Sequence, residues 1–455
     1  MAASEHTSSA QPALARTMGL GALTVYGVGD MLGAGIYGLM GKAAGLMGNA
    51  VWLAFVMAMF VALLTGLSYA NIGSRYPRAA GAPYVVQRAF RVPAVPFIVG
   101  LGVAASGLTS MATGSRVIAG YLQSLGLHLP TGVLAAGFLV LLSLVVFRGI
   151  RESTWMNFVC TAVELTGLLI VIGVSIRYWG SVDYLEVPSA VGQGGVEASL
   201  SAGLLLQGAV LTFFSFIGFE DILNVAEEVK QPRTTLPLGL LLALLIATCL
   251  YVLVAISAVS VLPYRELGQS QAALVDVVRK AAPAIPPTLF TAICIFAVAN
   301  TALLNFVMGS RLLYGMSRQG LLPARLGRVH AGRRTPHVAI LFLLGCVLAL
   351  ALLGDIRQLA DATSLLLLGA FVVVNGALVV LKRRPGERRG AFEVPVAVPA
   401  VGMLLCLGMI VGRVLGPGAD VRAPLIAGGI VTGIGVLYLV RRPKPVVLEE
   451  EPEQP

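Results

Sequence analysis

The sequence predicts an all-α integral membrane protein with twelve transmembrane helices. Three observations carry this prediction. Only 12% of the 455 residues are Asp, Glu, Lys or Arg, against about 25% in soluble domains. The hydrophobic fraction is 57% and the mean hydropathy is +0.87. Twelve continuous apolar runs are near the length a bilayer requires, about 20 residues for a core about 30 Å thick. A chain so poor in charge cannot cover a water-facing surface of this size. A soluble enzyme, a disordered scaffold and a nucleic-acid-binding protein are therefore excluded as first readings. The continuity of the runs favours helices over outer-membrane strands, which alternate over about 10 residues.

The elements follow in chain order. Residues 1–18 are a polar tail without the apolar core and cleavage site of a signal peptide. The runs are 20–40, 50–73, 95–125, 132–149, 153–178, 201–228, 236–262, 284–314, 337–354, 359–381, 397–416 and 423–440. The first is interrupted by Asp30 and by glycines, the third carries Arg116, and the fifth carries Glu164. The sixth holds Glu220 and Asp221; 132–149 and 337–354 are the two short runs. Residues 442–455 are a second polar tail ending in EEEPEQP.

Lys and Arg set the orientation. With the N-terminus placed in the cytoplasm, 23 basic residues fall on inside segments and 8, Arg413 among them, on outside ones, with Arg116 inside a span. This bias satisfies the positive-inside rule. It places both termini in the cytoplasm and makes the number of spans even. The net charge of +10 is then a topological signal and gives no support for nucleic acid. Cys160, Cys249, Cys294, Cys346 and Cys406 are scattered through the spans. No C-x-x-C pair occurs, so they are expected to be packing residues, with no metal site and no disulfide.

Two spans are expected to be broken. GAGIYG, Gly33 to Gly38, lies in the first; SFIGFED, Ser215 to Asp221, lies in the sixth. Glycine frees the backbone from helical dihedrals and lets another group approach closely. A charge at the bilayer centre costs about 2.5–3.5 kcal/mol on the insertion scale, so the carboxylates should face a cavity or a partner. If the first ten helices form two repeats of five, the two breaks occupy corresponding positions. That arrangement is the sequence mark of a transporter binding site. An unwound stretch leaves free N–H groups at one half-helix start and free C=O groups at the other half-helix end. The first attract a carboxylate, the second an ammonium or a metal cation. An amino acid zwitterion has both groups on one carbon. The plainer alternative is that the glycines serve only close helix packing.

Four blocks resemble the amino acid–polyamine–organocation superfamily of carriers. They are GAGIYG; SRYPRAAGAPYVVQRAF (Ser74 to Phe90), similar to that family's short cytoplasmic loop; FFSFIGFEDILNVAEEVKQPRTTLP (Phe213 to Pro237), similar to its sixth-helix block; and GSRLLYGMSRQGLLP (Gly309 to Pro323), followed by RTPHVAI. The resemblance implies a LeuT-type fold working by alternating access. Helices 1–5 over 19–180 would form one inverted repeat, and helices 6–10 over 200–382 the other. Two extra helices would occupy 395–441, with cytoplasmic tails at 1–18 and 442–455. It also implies site roles. Backbone N–H groups at Ala34 and Gly35, with Ile36 next, would bind a substrate carboxylate. Carbonyls at Met31, Phe214 and Ile217 would receive the amine. Phe214 would act as a lid, and Glu220 as a pH-sensitive group.

Three departures bear on mechanism. Asp30 stands beside the first break, and Asp221 directly follows Glu220. Glu164 occupies a position where many members of the resembled family carry a lysine tied to proton coupling, so that lysine mechanism does not transfer. The bland readings are a protonated, hydrogen-bonded Glu164 and helix-capping roles for Asp30 and Asp221. The functional reading makes Asp30, Glu164, Glu220 and Asp221 candidates for proton or cation coupling, with the proton ahead of sodium. Glu227 and Glu228 are expected to contact basic loops at an inner gate, and Arg116 to pair with one of the acids.

The resulting expectation is a secondary active permease in the plasma (inner) membrane. Its partners would be the bilayer and a small amino acid or amine, with no cofactor, no metal and no nucleic acid, as a monomer or homodimer. The buried acids put cationic amino acids slightly ahead. Neutral amino acids, polyamines, or sensing without transport are the alternatives. A channel would need a ring of like ligands. An enzyme would need a catalytic set that His6, His128, His330 and His337, expected in a tail or loops, do not supply.

Overall fold

A computed structural model describes residues 16, 18–76, 81–148, 154–188, 200–318, 321–330, 333, 335–415 and 421–442. The two tails otherwise lie outside the described residues. Among the described residues, each of the twelve apolar runs is mainly helical. In chain order these are α1 (Leu20–Met31), α2 (Ala34–Met47), α3 (Val51–Arg75), α4 (Gly81–Phe90), α5 (Ala94–Ser124), α6 (Thr131–Arg148), α7 (Thr154–Ser175) and α8 (Ala202–Phe213). Then follow α9 (Pro232–Val261), α10 (Tyr264–Gln269), α11 (Ala273–Ala281), α12 (Pro287–Arg318), α13 (His337–Leu353), α14 (Ile356–Arg383), α15 (Ala397–Leu415) and α16 (Arg422–Arg441). Among the described residues, ten helical segments are long and apolar enough to cross a membrane, and α13 is a shorter apolar helix. The protein is a multi-pass membrane protein.

Local chemistry explains many of the ends. Ser201 caps α8 by accepting from the Leu204 N–H. Asp355 and Gln358 form a reciprocal capping box at the start of α14. Pro232 opens α9 at the first turn, where a missing N–H costs nothing. Hydroxyls inside the helices bond to their own carbonyls four residues back, as Thr24 does to Leu20 and Thr248 to Leu244. This satisfies them where no water reaches.

Apolar burial gives little drive between helices in lipid, so close approach must come from small residues. A Cβ on Gly239 would lie 2.7 Å from Leu23 Cδ2, and one on Gly66 2.6 Å from Leu244 Cδ1. These contacts draw α1 and α3 onto α9. The buried side chains divide into two main clusters. The larger is built chiefly on α1, α2, α3, α8 and α9; the second is built on α5, α6, α12 and α13. Helix α14 packs on α5 and α15.

Four sequence expectations need correction. The segment after the second span, expected to be a loop, is helical over Gly81–Phe90. Arg413, counted among outside-loop residues, lies in the last turn of α15 and is only 2% exposed. It pairs with Asp361 of α14, Nη2 to Oδ2, at 2.7 Å, and that acid is buried as well. Arg116 turns to a backbone carbonyl: Nη1 donates to Ala351 in the last turn of α13. That carbonyl lacks an intrahelical partner and attracts a cation. His337, expected in a loop, is the first residue of α13.

Loop 384–396 forms a second charged cluster on the face that carries α4. Arg75 holds Glu393 through two bonds of 2.7 Å, and Lys382 also contacts that carboxylate. Glu387 accepts from Tyr76 and from Arg88, each at 2.7 Å. Burial raises the Glu393 carboxyl, but the bonds from Arg75 and Lys382 outweigh it and hold it down to about 2.

Candidate functional site at two helix breaks

Both expected breaks are present. The first helix stops at Met31 and restarts at Ala34, with Gly33 at φ 142°. The sixth stops at Phe213, makes a 3₁₀ turn over Phe214–Phe216, and restarts after Gly218 at φ 118°. Only glycine adopts such angles without strain. The second half of the sixth segment, Phe219–Glu228, is wound as a 3₁₀ helix. Of the three glycines in GAGIYG, only Gly33 is needed for backbone conformation. Gly35 and Gly38 are helical and serve close approach.

The two breaks interlock. A Cβ on Gly35 would lie 2.4 Å from the Ser215 Cα. A Cβ on Gly218 would lie 2.8 Å from the Asp30 carbonyl oxygen and 3.2 Å from Asp30 Cγ. Each break thus packs its glycine against the other's backbone. A Cβ on Gly33 would lie 1.9 Å from Thr301 Oγ1, so α12 closes the first break from a third side.

The candidate residues fall into two groups. Ala34, Gly35 and Ile36 form the first turn of α2, whose N-cap, Gly33, supplies no side-chain hydrogen bond. Their amides are the orphan donors of a helix start. Met31 and Phe214 sit at the opposite ends and are 3% and 4% exposed. The Phe214 carbonyl accepts from the Ile217 N–H at 3.3 Å, and Ile217 itself is partly buried. The helix-start amides and these carbonyls thus belong to the two interlocked breaks, and the Met31 carbonyl, like that of Phe214, already accepts a hydrogen bond.

The acids are placed separately. Glu220 folds back so that Oε2 accepts from the Gly218 N–H at 3.0 Å, capping the restart of the sixth segment. Asp30 abuts Gly218 through its backbone and Cγ, and Asp221 follows on the same turn, its N–H donating to the Gly218 carbonyl at 3.0 Å. These three gather at the second break. Glu164 stands apart on α7, fully buried, with Oε1 accepting from Asn300 Nδ2 at 3.0 Å. Among the described residues its Oε2 has no hydrogen-bond partner. The Glu228 carbonyl accepts from the Met18 N–H at 3.0 Å, and the Lys230 N–H donates to Met18 at 2.8 Å. The chain before α1 is thereby tied to the end of the sixth segment. The side chain of Glu227 lies outside the described residues.

Sequence reasoning missed Tyr251. From α9 its hydroxyl reaches the Met31 carbonyl at 2.6 Å and the Ser215 carbonyl at 2.7 Å. One phenol hydrogen therefore serves a carbonyl from each broken helix. The ring is fully buried and packs against Phe216 and Phe55, with centroids 5.3 and 5.7 Å away. A lone Tyr within an apolar run gives no signal of this role. Asn300, the partner of Glu164, was missed for the same reason.

Paired helix breaks inside a multi-pass helical protein define a membrane carrier. The sequence matches the amino acid permease family over residues 19–436. The chain belongs to that family, within the amino acid–polyamine–organocation superfamily, and is a transporter and not an enzyme. It is 28% identical to the branched-chain amino acid permease BcaP of Bacillus subtilis, over 89% of each chain. It is 28% identical to the methylthioribose transporter of the same organism, over 88% of each chain. It is 30% identical to cationic amino acid transporter 4 of Mus musculus, over 82% of this chain and 61% of that one.

Proposed function

We propose that this permease is a secondary active transporter that moves amino acids across the plasma membrane by alternating access. The observation that carries the reading is the interlock of the two breaks at Gly35–Ser215 and Gly218–Asp30. The reading uses the helix-start amides of Ala34, Gly35 and Ile36 and the carbonyls of Met31, Phe214 and Ile217; a carbonyl that already accepts one hydrogen bond, as Met31 does from Tyr251 and Phe214 from Ile217, keeps a second lone pair. A substrate carboxylate binds the first set and its ammonium the second. The same reading takes the fold as LeuT-type, with twelve spans, two inverted repeats over 19–180 and 200–382, two further helices and both termini cytoplasmic. The division of the core into two apolar clusters supports two bodies that rock against each other.

Coupling falls to Glu164, Glu220, Asp30 and Asp221, with the proton ahead of sodium, in uptake or exchange. Glu220→Gln keeps an oxygen acceptor for the Gly218 N–H and removes the ionisable group. It is expected to abolish the pH dependence of uptake.

The number of buried acids favours a cationic amino acid. One observation favours a neutral one. The Glu164 and Glu220 carboxylates accept hydrogen bonds from Asn300 and from the Gly218 N–H, while Met31, Ile36, Phe214 and Ile217 are apolar. Competition of an amino-acid and amine panel against labelled arginine and alanine in proteoliposomes, with and without a pH gradient, tests the assignment. Saturable uptake blocked by one class identifies the substrate class. No competition from any amino acid or amine would refute the reading.

A further inference from the structure

We propose that Tyr37 and Asn300 are positioning residues for the Glu164 carboxyl, and that Tyr37 ties this carboxyl to the substrate-binding turn of α2. The inference rests on the permease reading above, with Glu164 as a coupling group.

The geometry is a chain of hydrogen bonds through four helices. Tyr121 of α5 donates its hydroxyl to the Tyr37 carbonyl at 2.6 Å. Tyr37 of α2 donates its hydroxyl to the Glu164 backbone carbonyl at 2.5 Å. Asn300 of α12 donates to the Glu164 carboxyl at 3.0 Å. Glu164 is thus held twice, by its backbone from one side and by its side chain from the other. Tyr37 and Tyr121 are 2% and 1% exposed, so these bonds are shielded from bulk water.

The fit of Tyr37 into α7 is specific. A Cβ on Gly167 would lie 2.2 Å from the Tyr37 hydroxyl. Gly167 therefore opens a notch that receives it. Tyr37 follows Ala34, Gly35 and Ile36 directly, and its own N–H closes the first turn of α2 on the Gly33 carbonyl at 3.0 Å. A movement of that turn onto a substrate carboxylate moves Tyr37 and pulls on the Glu164 backbone. The carboxyl oxygen left without a hydrogen-bond partner then changes its surroundings with the substrate site. Proton occupancy and substrate binding are linked through this tether, and linkage acts in both directions.

Other groups surround the carboxyl. Tyr37 on α2, Tyr251 on α9 and Cys160 on α7 lie within electrostatic reach of it. Asn300 and Cys294 lie on α12, where Cys294 faces Tyr37 and Tyr121. Helices α1 and α11 also pack on α7. Their charged groups are Asp30, and Asp276, Arg279 and Lys280. Arg177 follows α7 in the short 3₁₀ turn Ile176–Tyr178.

The test compares Tyr37→Phe, Asn300→Ala, Gly167→Ala and the double variant Tyr37→Phe/Gly167→Ala with the wild type. Uptake is measured in proteoliposomes across a pH series. The protonated-carboxyl infrared band of Glu164, identified by its loss in Glu164→Gln, is followed over the same series. Each single variant should move the band's midpoint by about half a pH unit or more, where one unit is a tenfold change in proton affinity. The uptake profile should move with it. The double variant should move back toward the Tyr37→Phe midpoint, because Phe removes the nearest atom the new methyl group would strike and leaves the Ile293 side chain, 2.8 Å away, to give way. A Tyr37→Phe midpoint that coincides with the wild type, with maximal uptake alone reduced, would overturn the tether. If the wild type takes up no amino acid, the permease reading fails; the infrared midpoints still decide whether Tyr37 and Asn300 position Glu164.

Discussion

Ser215 stands so close to Gly35 that a methyl group on the glycine would lie 2.4 Å from the serine Cα and 2.7 Å from its Oγ. The contact is with backbone, so no side-chain rotation relieves it. Gly35→Ala therefore must part the two breaks, at an overpacking cost of about 1–3 kcal/mol. We expect uptake to fall tenfold or more while the protein still folds, as judged by size-exclusion profile. Gly38 is the control. The atoms nearest a Cβ there belong to the Val117 side chain, with Cγ2 at 2.6 Å. The loss in Gly38→Ala should be recovered by Val117→Ala, whereas Ser215→Gly should not recover Gly35→Ala.

Tyr251→Phe keeps the ring among Phe216 and Phe55 and removes the hydroxyl bridging Met31 and Ser215. The carbonyls are buried, and a lost buried partner costs about 1–3 kcal/mol. Uptake should fall about tenfold or more, with a matching loss of thermal stability in detergent. Unchanged uptake and stability would remove Tyr251 from the site.

The Asp361–Arg413 pair is buried on both sides, at 1% and 2% exposure, and Arg357 Nε lies 4.0 Å from the same oxygen. Removing one partner from a buried pair costs about 3–5 kcal/mol, whereas replacing both by apolar groups is often neutral. Asp361→Ala should therefore lower the unfolding temperature sharply. Asp361→Leu/Arg413→Met should recover most of that loss. A thermal-shift series on the three proteins measures both.

Glu393 predicts an acid-sensitive cluster at loop 384–396. Its carboxyl is held at about 2, below its ordinary 4.5. The folded state thus binds this proton more weakly than the unfolded chain. The stabilisation is complete above about pH 4.5 and is lost as pH falls toward 2. Thermal unfolding at graded pH should show wild type and Glu393→Gln converging on acidification. Parallel curves would contradict the assignment.

The helices and both breaks were legible because they depend on short stretches of sequence: apolar runs, and glycines beside Ser215 and Glu220. The placing of Ala34, Gly35 and Ile36 on a helix start was legible for the same reason. What escaped depends on which faces meet across long separations. Tyr251 lies within an apolar run, and nothing local shows that its hydroxyl reaches Met31. Asp361 pairs with Arg413 across a connecting loop, so a buried cation was taken for a loop residue. Arg116 was expected to seek an acid, but the orphan carbonyl of Ala351 at a helix end serves as its acceptor. The sequence offered both backbone freedom and close approach for the three glycines of GAGIYG; the contacts with Ser215 and Val117 assign close approach to Gly35 and Gly38 and leave the backbone role to Gly33.

The central claim is that an amino acid is held between the two breaks. A structure determined with a bound amino acid that competes for uptake tests it most directly. The account predicts the substrate carboxylate within hydrogen-bond distance of the Ala34, Gly35 and Ile36 amides, with the ammonium toward the Met31, Phe214 and Ile217 carbonyls. A competing amino acid bound elsewhere, with the Gly35–Ser215 contact still closed, would contradict it.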